Sequence, residues 1–195
     1  MKDPRRSSKQ RASATAAAAG KRFEVQCAGE LKIMQASAPR LVASFRHTQP
    51  LFRAVGGGKF VPVKGGEADF HGIAPGAFFF AVECKSSAGH TVERSEFTKG
   101  EADDLDATAA AGGLALAVLE FRFAIGGWRC FGVPWKCMPW KAAGVAGSAG
   151  GLSVHVNDLN GWELRRPLWL GPFLEYCPAC AAYRLRGARS CCRRS

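Results

Sequence analysis

The chain has no run of eighteen or more apolar residues. Its longest apolar stretches, around Phe78–Val82 and Leu114–Phe121, have the length of buried strands. That excludes a membrane-spanning helix on sequence grounds, and a soluble protein with no membrane partner is expected. Acids are missing where bases gather. Residues 1–22 hold seven Lys/Arg and one Asp, and residues 177–195 hold five Arg and no acid, while 15 Lys/Arg and 15 Asp/Glu cancel between Phe23 and Tyr176. The formal charge of +11 therefore belongs to the tails, and the core need not carry a basic surface. The start, KDPRRSSKQRASATAAAAGKR, lacks the apolar segment of a secretory signal. It partly resembles a transit peptide, but a disordered, phosphate-seeking arm over residues 1–22 is the simpler reading. Without an export signal, the eight cysteines point to a reducing, cytoplasmic setting in which disulfides are not expected. No internal repeat is present.

At 195 residues the chain suits one domain with tails. Phe23–Ala36 places Phe23, Cys27, Leu31 and Met34 at helical spacing, with Glu24 and Glu30 off the apolar stripe. Leu41–Phe45 reads as a short strand, and the Gly-rich segment from Arg53 to Gly66 as a projecting loop or loose hairpin. Glu67–Ile73 and Gly76–Cys84 read as a hairpin turning at Ala74–Gly76, and Ser86–Arg94 as a polar loop. Thr98 and Glu101 fit a capping box opening a helix that ends at Gly112-Gly113. Leu114–Phe123 and Trp128–Val133 follow as strands, with Trp128 and Trp135 assigned to the core. The expected fold is α/β, a mixed central sheet flanked by helices, over residues 23–140. Residues 141–195 read as an Ala/Gly linker and an extension ending in a Cys/Arg-rich tail, with no clear period in Leu152–Glu175.

The chemistry concentrates in Ala68–Ser87, ADFHGIAPGAFFFAVECKSS, where Asp69, Glu83 and Lys85 stand in an apolar setting. Side chains alternate along a strand, so Glu83 and Lys85 share a face and Cys84 points away. The turn can bring Asp69 to the same point. Carboxylates so placed repel one another and lose hydration, which a divalent cation relieves. Hard oxygen ligands suit Mg²⁺ or Mn²⁺, with Asp69, Glu83 and the Cys84 carbonyl as candidate ligands. Such an ion favours phosphodiester hydrolysis, with Lys85 orienting water or steadying charge.

The pattern Asp69…Glu83-Cys84-Lys85 on a hairpin resembles the PD-(D/E)XK nuclease superfamily. Gly20-Lys-Arg-Phe-Glu24, Arg46-His-Thr-Gln-Pro50, Ala68-Asp-Phe-His-Gly-Ile73, Val82-Glu-Cys-Lys-Ser86 and Gly112-Gly113-Leu-Ala-Leu116, in that order, resemble RecU-type Holliday junction resolvases over roughly Gly20 to Trp140. The resemblance implies a restriction-endonuclease-like fold and a homodimer cutting four-way DNA junctions. It implies metal binding by Asp69 and Glu83, catalysis by Lys85, and a water-holding role for Glu24. It also implies DNA contacts by Arg46 and by a stalk carrying Arg53, Lys59 and Lys64. Glu101 departs from the pattern, standing where such proteins often have Gln, which adds a carboxylate to the candidate catalytic group.

Simpler readings stand beside these. Asp69 and Lys85 can form a cross-strand ion pair, and Glu101 can serve only as the capping acid. Asp103, Asp104 and Asp106 read as a solvated helix face, and His71 as a strand residue facing solvent or the mouth of the site. Cys177, Cys180, Cys191 and Cys192 have the ligand count for zinc, but the second CxxC is missing and adjacent cysteines close a tetrahedron poorly. A non-catalytic DNA-binding module with a zinc-bound tail, and a general repair or restriction nuclease, are the alternatives.

Overall fold

The computed structural model describes residues 4–37, 42–48, 52–54, 60–62, 66–74, 78–142, 151–164, 174–177 and 182–185. In chain order these form α1 (Pro4–Ser37), β1 (Ser44–His47), β2 (Phe52–Ala54), β3 (Phe60–Pro62), β4 (Phe70–Ala74), β5 (Phe78–Ser87) and β6 (Thr91–Glu93). There follow α2 (Lys99–Ala110), β7 (Leu114–Arg122), β8 (Trp128–Pro134), β9 (Lys141–Ala142), β10 (Leu152–His155), β11 (Leu174–Cys177) and β12 (Ala182–Leu185). Five strands make a mixed sheet of order β1-β4-β5-β7-β8, antiparallel except for the parallel β5–β7 pair that α2 connects. This is the mixed α/β sheet flanked by helices that the hydrophobic pattern led us to expect.

Alternation along the central strands decides which helix covers which face. Phe80 and Val82 of β5 and Leu114, Leu116 and Val118 of β7 pack with Phe23, Cys27, Leu31 and Met34 of α1. Ala81, Ala115, Ala117 and Leu119 pack on the other face with Ala102 and Leu105 of α2. The small alanines leave room for α2. Every residue of β7 except Arg122 is buried, as befits a strand covered on both faces. Each fully buried Leu or Phe here contributes about 2 kcal/mol. Gly72 pairs across from Phe80, and a Cβ on it would stand 2.1 Å from the Phe80 ring, so only glycine fits beneath that ring. Gly112, at φ 82°, ends α2 in the left-handed conformation.

Several expectations are corrected. The basic arm expected to be disordered over residues 1–22 is helical from Pro4, because Ala12, Ala14 and Ala16–Ala19 are strong helix formers continuous with the amphipathic turns after them. The first core strand begins at Ser44 rather than Leu41. Ser86–Arg94 is not simply a loop, since β5 runs through Ser87 and β6 follows. Strand β6 belongs to a second sheet of order β6-β10-β9, and β10 lies in the stretch where no period was legible. Trp135 is buried as expected, but Trp128 is 53% exposed, at the outer end of β8. Within the expected projecting segment, β2 and β3 pair antiparallel. Pro75 and Gly76 of the expected turn lie outside the described residues. No helix among the described residues is long and apolar enough to cross a membrane.

Candidate active site

Strand register assembles the site. Phe70 pairs with Val82, which sets Asp69, just before β4, opposite Glu83. The two residues lock each other: the Asp69 amide donates to Glu83 Oε2 at 3.1 Å, and the Cys84 amide donates to Asp69 Oδ2 at 2.9 Å. Asp69 Oδ1 has no hydrogen-bond partner among the described residues. Lys85 Nζ lies between Glu83 Oε1 at 2.5 Å and Glu101 Oε2 at 2.8 Å, 5.2 Å from the centre of the Phe97 ring. The expected alternative, a direct Asp69–Lys85 ion pair, is absent among the described contacts.

Glu101 does both jobs considered for it. Its carboxylate accepts from the Thr98 amide at 2.9 Å, completing the capping box, and also takes the Lys85 ammonium. Glu24 lies on α1, where its carboxylate meets Lys21 Nζ at 3.0 Å and His47 Nε2 of β1. The His47 ring stacks on buried Phe70, centroids 4.7 Å apart, which ties β1 to the same end of the sheet.

Burial pushes the Asp69 carboxyl up to about 6, against the pull of the Cys84 amide; the charges of Glu24 and Glu101 add to the rise and Lys85 opposes it. Glu83, 2% exposed, is pushed well above the usual carboxylate range by burial and then by Asp69. Burial works against the Lys85 ammonium, but Glu83 and Glu101 outweigh it and hold the amine above its usual range. Burial likewise pushes the Cys84 thiol well up, with Cys27 beside it, so its sulfur is neutral and no thiolate is offered to a metal.

The donor set fits a hard divalent cation held partly by water. Two desolvated carboxylates repel each other, and Asp69 Oδ1 has no partner among the described residues. Among the described residues no group of three or more His, Cys, Asp or Glu side chains is placed to hold a metal ion, so any cation here would take at most two carboxylates and fill its shell with carbonyl and water oxygen. Asp69, Glu83 and the Cys84 carbonyl remain the candidate ligands.

The other predicted site residues are placed less closely. Arg46 is exposed and paired with Glu67 at 2.7 Å. Arg53 is on β2, but its side chain, like that of Cys177 at the end of β11, lies outside the described residues, as do Lys59, Lys64, Cys180, Cys191 and Cys192 altogether.

Three groups were missed or misread. Asp104 is not part of a solvated face: its Oδ2 accepts from the Ala68 amide at 2.8 Å and meets His71 Nε2 at 2.7 Å, so α2 holds the backbone immediately before Asp69. Its spacing of three from Glu101 on one helix was the available signal. Asp106 accepts from Trp135 Nε1 at 2.8 Å, whereas exposed Asp103 pairs with Lys99, as a solvated residue would. Glu120, 2% exposed on β7, was visible as the one charge in the run Leu114–Phe121.

No protein-family model matches the chain, and no curated protein matches it. Among solved structures it is similar to Hjc, a Holliday junction resolvase from the archaeal hyperthermophile Archaeoglobus fulgidus, at 15% identity over 80% of this chain and 98% of that one, with a TM-score of 0.39.

Proposed function

We propose that the chain is a Mg²⁺- or Mn²⁺-dependent endonuclease that hydrolyses DNA phosphodiesters at four-way junctions. One observation carries the catalytic reading: Asp69 and Glu83 stand opposed across β4 and β5 with raised carboxyl pKa values, beside a lysine pinned by Glu83 and Glu101. The junction as substrate, and a homodimer that cuts opposed strands, rest on the sequence resemblance to RecU-type resolvases. A two-fold dimer matches the symmetry of a junction.

Asp69, Glu83 and the Cys84 carbonyl would hold the cation, which when bound supplies Lewis-acid polarisation of the phosphodiester and a more acidic attacking water. Lys85 presents a fixed positive charge to the phosphoryl oxygens, and its two ion pairs limit its swing. Glu101 restrains Lys85 from the helix side. Glu24, joined to His47, would orient the attacking water.

The test is cleavage of a labelled mobile four-way junction and its matched linear duplex, with Mg²⁺ or EDTA, by wild type, Asp69→Asn and Glu83→Gln. Symmetric nicks in the junction by wild type with Mg²⁺ alone support the proposal. Equal cutting of the duplex points to a general nuclease of the same superfamily. Binding without cutting in all three proteins replaces the catalytic reading with a binding module.

A further inference from the structure

Next to the acidic constellation, on the opposite face of the same strands, lies a second charged cluster. Register puts Ser86 beside Glu120 across the parallel β5–β7 pair, one residue beyond Lys85. The Ser86 hydroxyl donates to Glu120 Oε2 at 2.6 Å and accepts from Arg122 Nε at 3.0 Å. Arg122 Nε lies 3.7 Å from the same carboxylate, and Arg22 Nη2 of α1 lies 3.8 Å from it. The carboxylate is buried, but the side chains of Arg22 and Arg122 remain 66% and 23% exposed.

The charge balance is what makes this cluster unusual. Arg46 of β1 and Lys21 of α1 are each matched by an acid, Glu67 and Glu24. Here one carboxylate faces two guanidiniums, leaving a surplus of one positive charge. Ser86 engages only the Nε edge of Arg122, and its terminal nitrogens have no partner among the described residues. Those nitrogens form the fork that grips a phosphate through two parallel hydrogen bonds. The neighbouring site, with Glu83 and Glu101 on Lys85 and Asp69 beside them, repels a polyanion unless positive charge flanks it.

We propose that Arg22 and Arg122, anchored on Glu120 and Ser86, form a subsite for a backbone phosphate of the DNA strand, next to the phosphodiester that is cut. The inference rests on the nuclease reading and assigns a phosphate-holding role to residues that the resemblance left without one. Ser86 adjoins Lys85 on one strand, so the subsite and the chemistry share a rigid support. A phosphate seated there fixes the register of the strand without reading its sequence.

The test is binding of the full-length chain to a labelled four-way junction in EDTA, with KCl varied between about 50 and about 200 mM. Arg22→Gln is expected to reduce the slope of log affinity against log salt by about one, as loss of a single phosphate contact does. Because Arg122 also partners a buried carboxylate, it is removed together with that charge as Glu120→Gln/Arg122→Gln, which leaves the net charge unchanged, and a reduction of about one relative to wild type is expected there from the lost phosphate contact alone. Thermal unfolding confirms that each variant is folded. Lys136→Gln, just after β8 and beside the start of β7, removes the same single charge as Arg22→Gln and should leave the slope as in wild type. Wild-type slopes in Arg22→Gln or in the folded double variant overturn the subsite while leaving the nuclease reading standing. Failure of wild type to bind DNA overturns both.

Discussion

Glu83 and Glu120 lie on adjacent strands, each 2% exposed, yet their company is opposite. Glu83 faces another carboxylate across the hairpin and shares one lysine with Glu101. Glu120 is surrounded by a hydroxyl and two guanidiniums. Equal burial therefore has different consequences. Around Glu83 negative charge is in excess, whereas around Glu120 positive charge is in excess. A buried charge becomes informative when its partners are counted, because desolvation alone has the same sign for both.

The strongest way to break the comparison is to neutralise each glutamate in turn. Glu83→Gln is expected to lower junction cleavage by about 10²–10⁴-fold, while leaving cation-free thermal stability unchanged or raised, because a repelled buried charge has gone. Glu120→Gln is expected to do the reverse. Stability falls by about 2 kcal/mol in urea unfolding, the scale of a charged hydrogen bond, and cleavage changes far less. Equal responses to the two substitutions would remove the distinction.

Next in size is the support behind Asp69. Asp104→Ala removes the acceptor shared by the Ala68 amide and His71, and kcat should drop by about 10–100-fold with KM little changed. Asp104→Asn keeps an acceptor oxygen and should restore most of the rate. Loss of folding in Asp104→Ala without rescue by Asn would mark Asp104 as a structural tie only.

Acidity sharpens the contrast through stability. The Asp69 carboxyl titrates at about 6 in the folded chain against an ordinary 3.8, so the folded state favours its neutral form. Its contribution, about 3 kcal/mol for a shift of that size, is complete below the ordinary value and is lost as pH rises through about 6. Glu83 shifts in the same direction. In EDTA the Tm should fall between about pH 4 and about pH 7, less so in Asp69→Asn, and Mg²⁺ should raise it more at pH 8 than at pH 5. An Asp69→Asn profile identical to wild type contradicts the assignment. The smallest expected effect is that of Glu101→Gln, which keeps a capping-box side chain and weakens only one of the two Lys85 ion pairs. Cleavage should change by less than about tenfold.

Much of this was legible in order along the chain. The α1 stripe, the hairpin that opposes Asp69 to Glu83, the Thr98–Glu101 box and the central strand β7 each follow from a local period or a local cap. Strands β6 and β10 were not legible because each is short and pairs with a segment far along the chain. Asp104 and Asp106 looked solvated because helical spacing shows which residues share a face, but not which strand or loop meets that face. The helical arm was misread because its charge was weighed above its alanine content.

By itself the sequence determined the mixed α/β order, the identity of the Asp69, Glu83 and Lys85 group, and the capping role of Glu101, since these depend on residue type and near spacing. Only the tertiary structure decided that Lys85 bridges Glu83 and Glu101 rather than pairing with Asp69, that Asp104 anchors the strand behind Asp69, and that Glu120 gathers Ser86, Arg122 and Arg22. Those contacts join α1, α2, β4, β5 and β7, and their geometry is set by how the helices pack on the sheet, a non-local balance of volume and desolvation that no local period encodes.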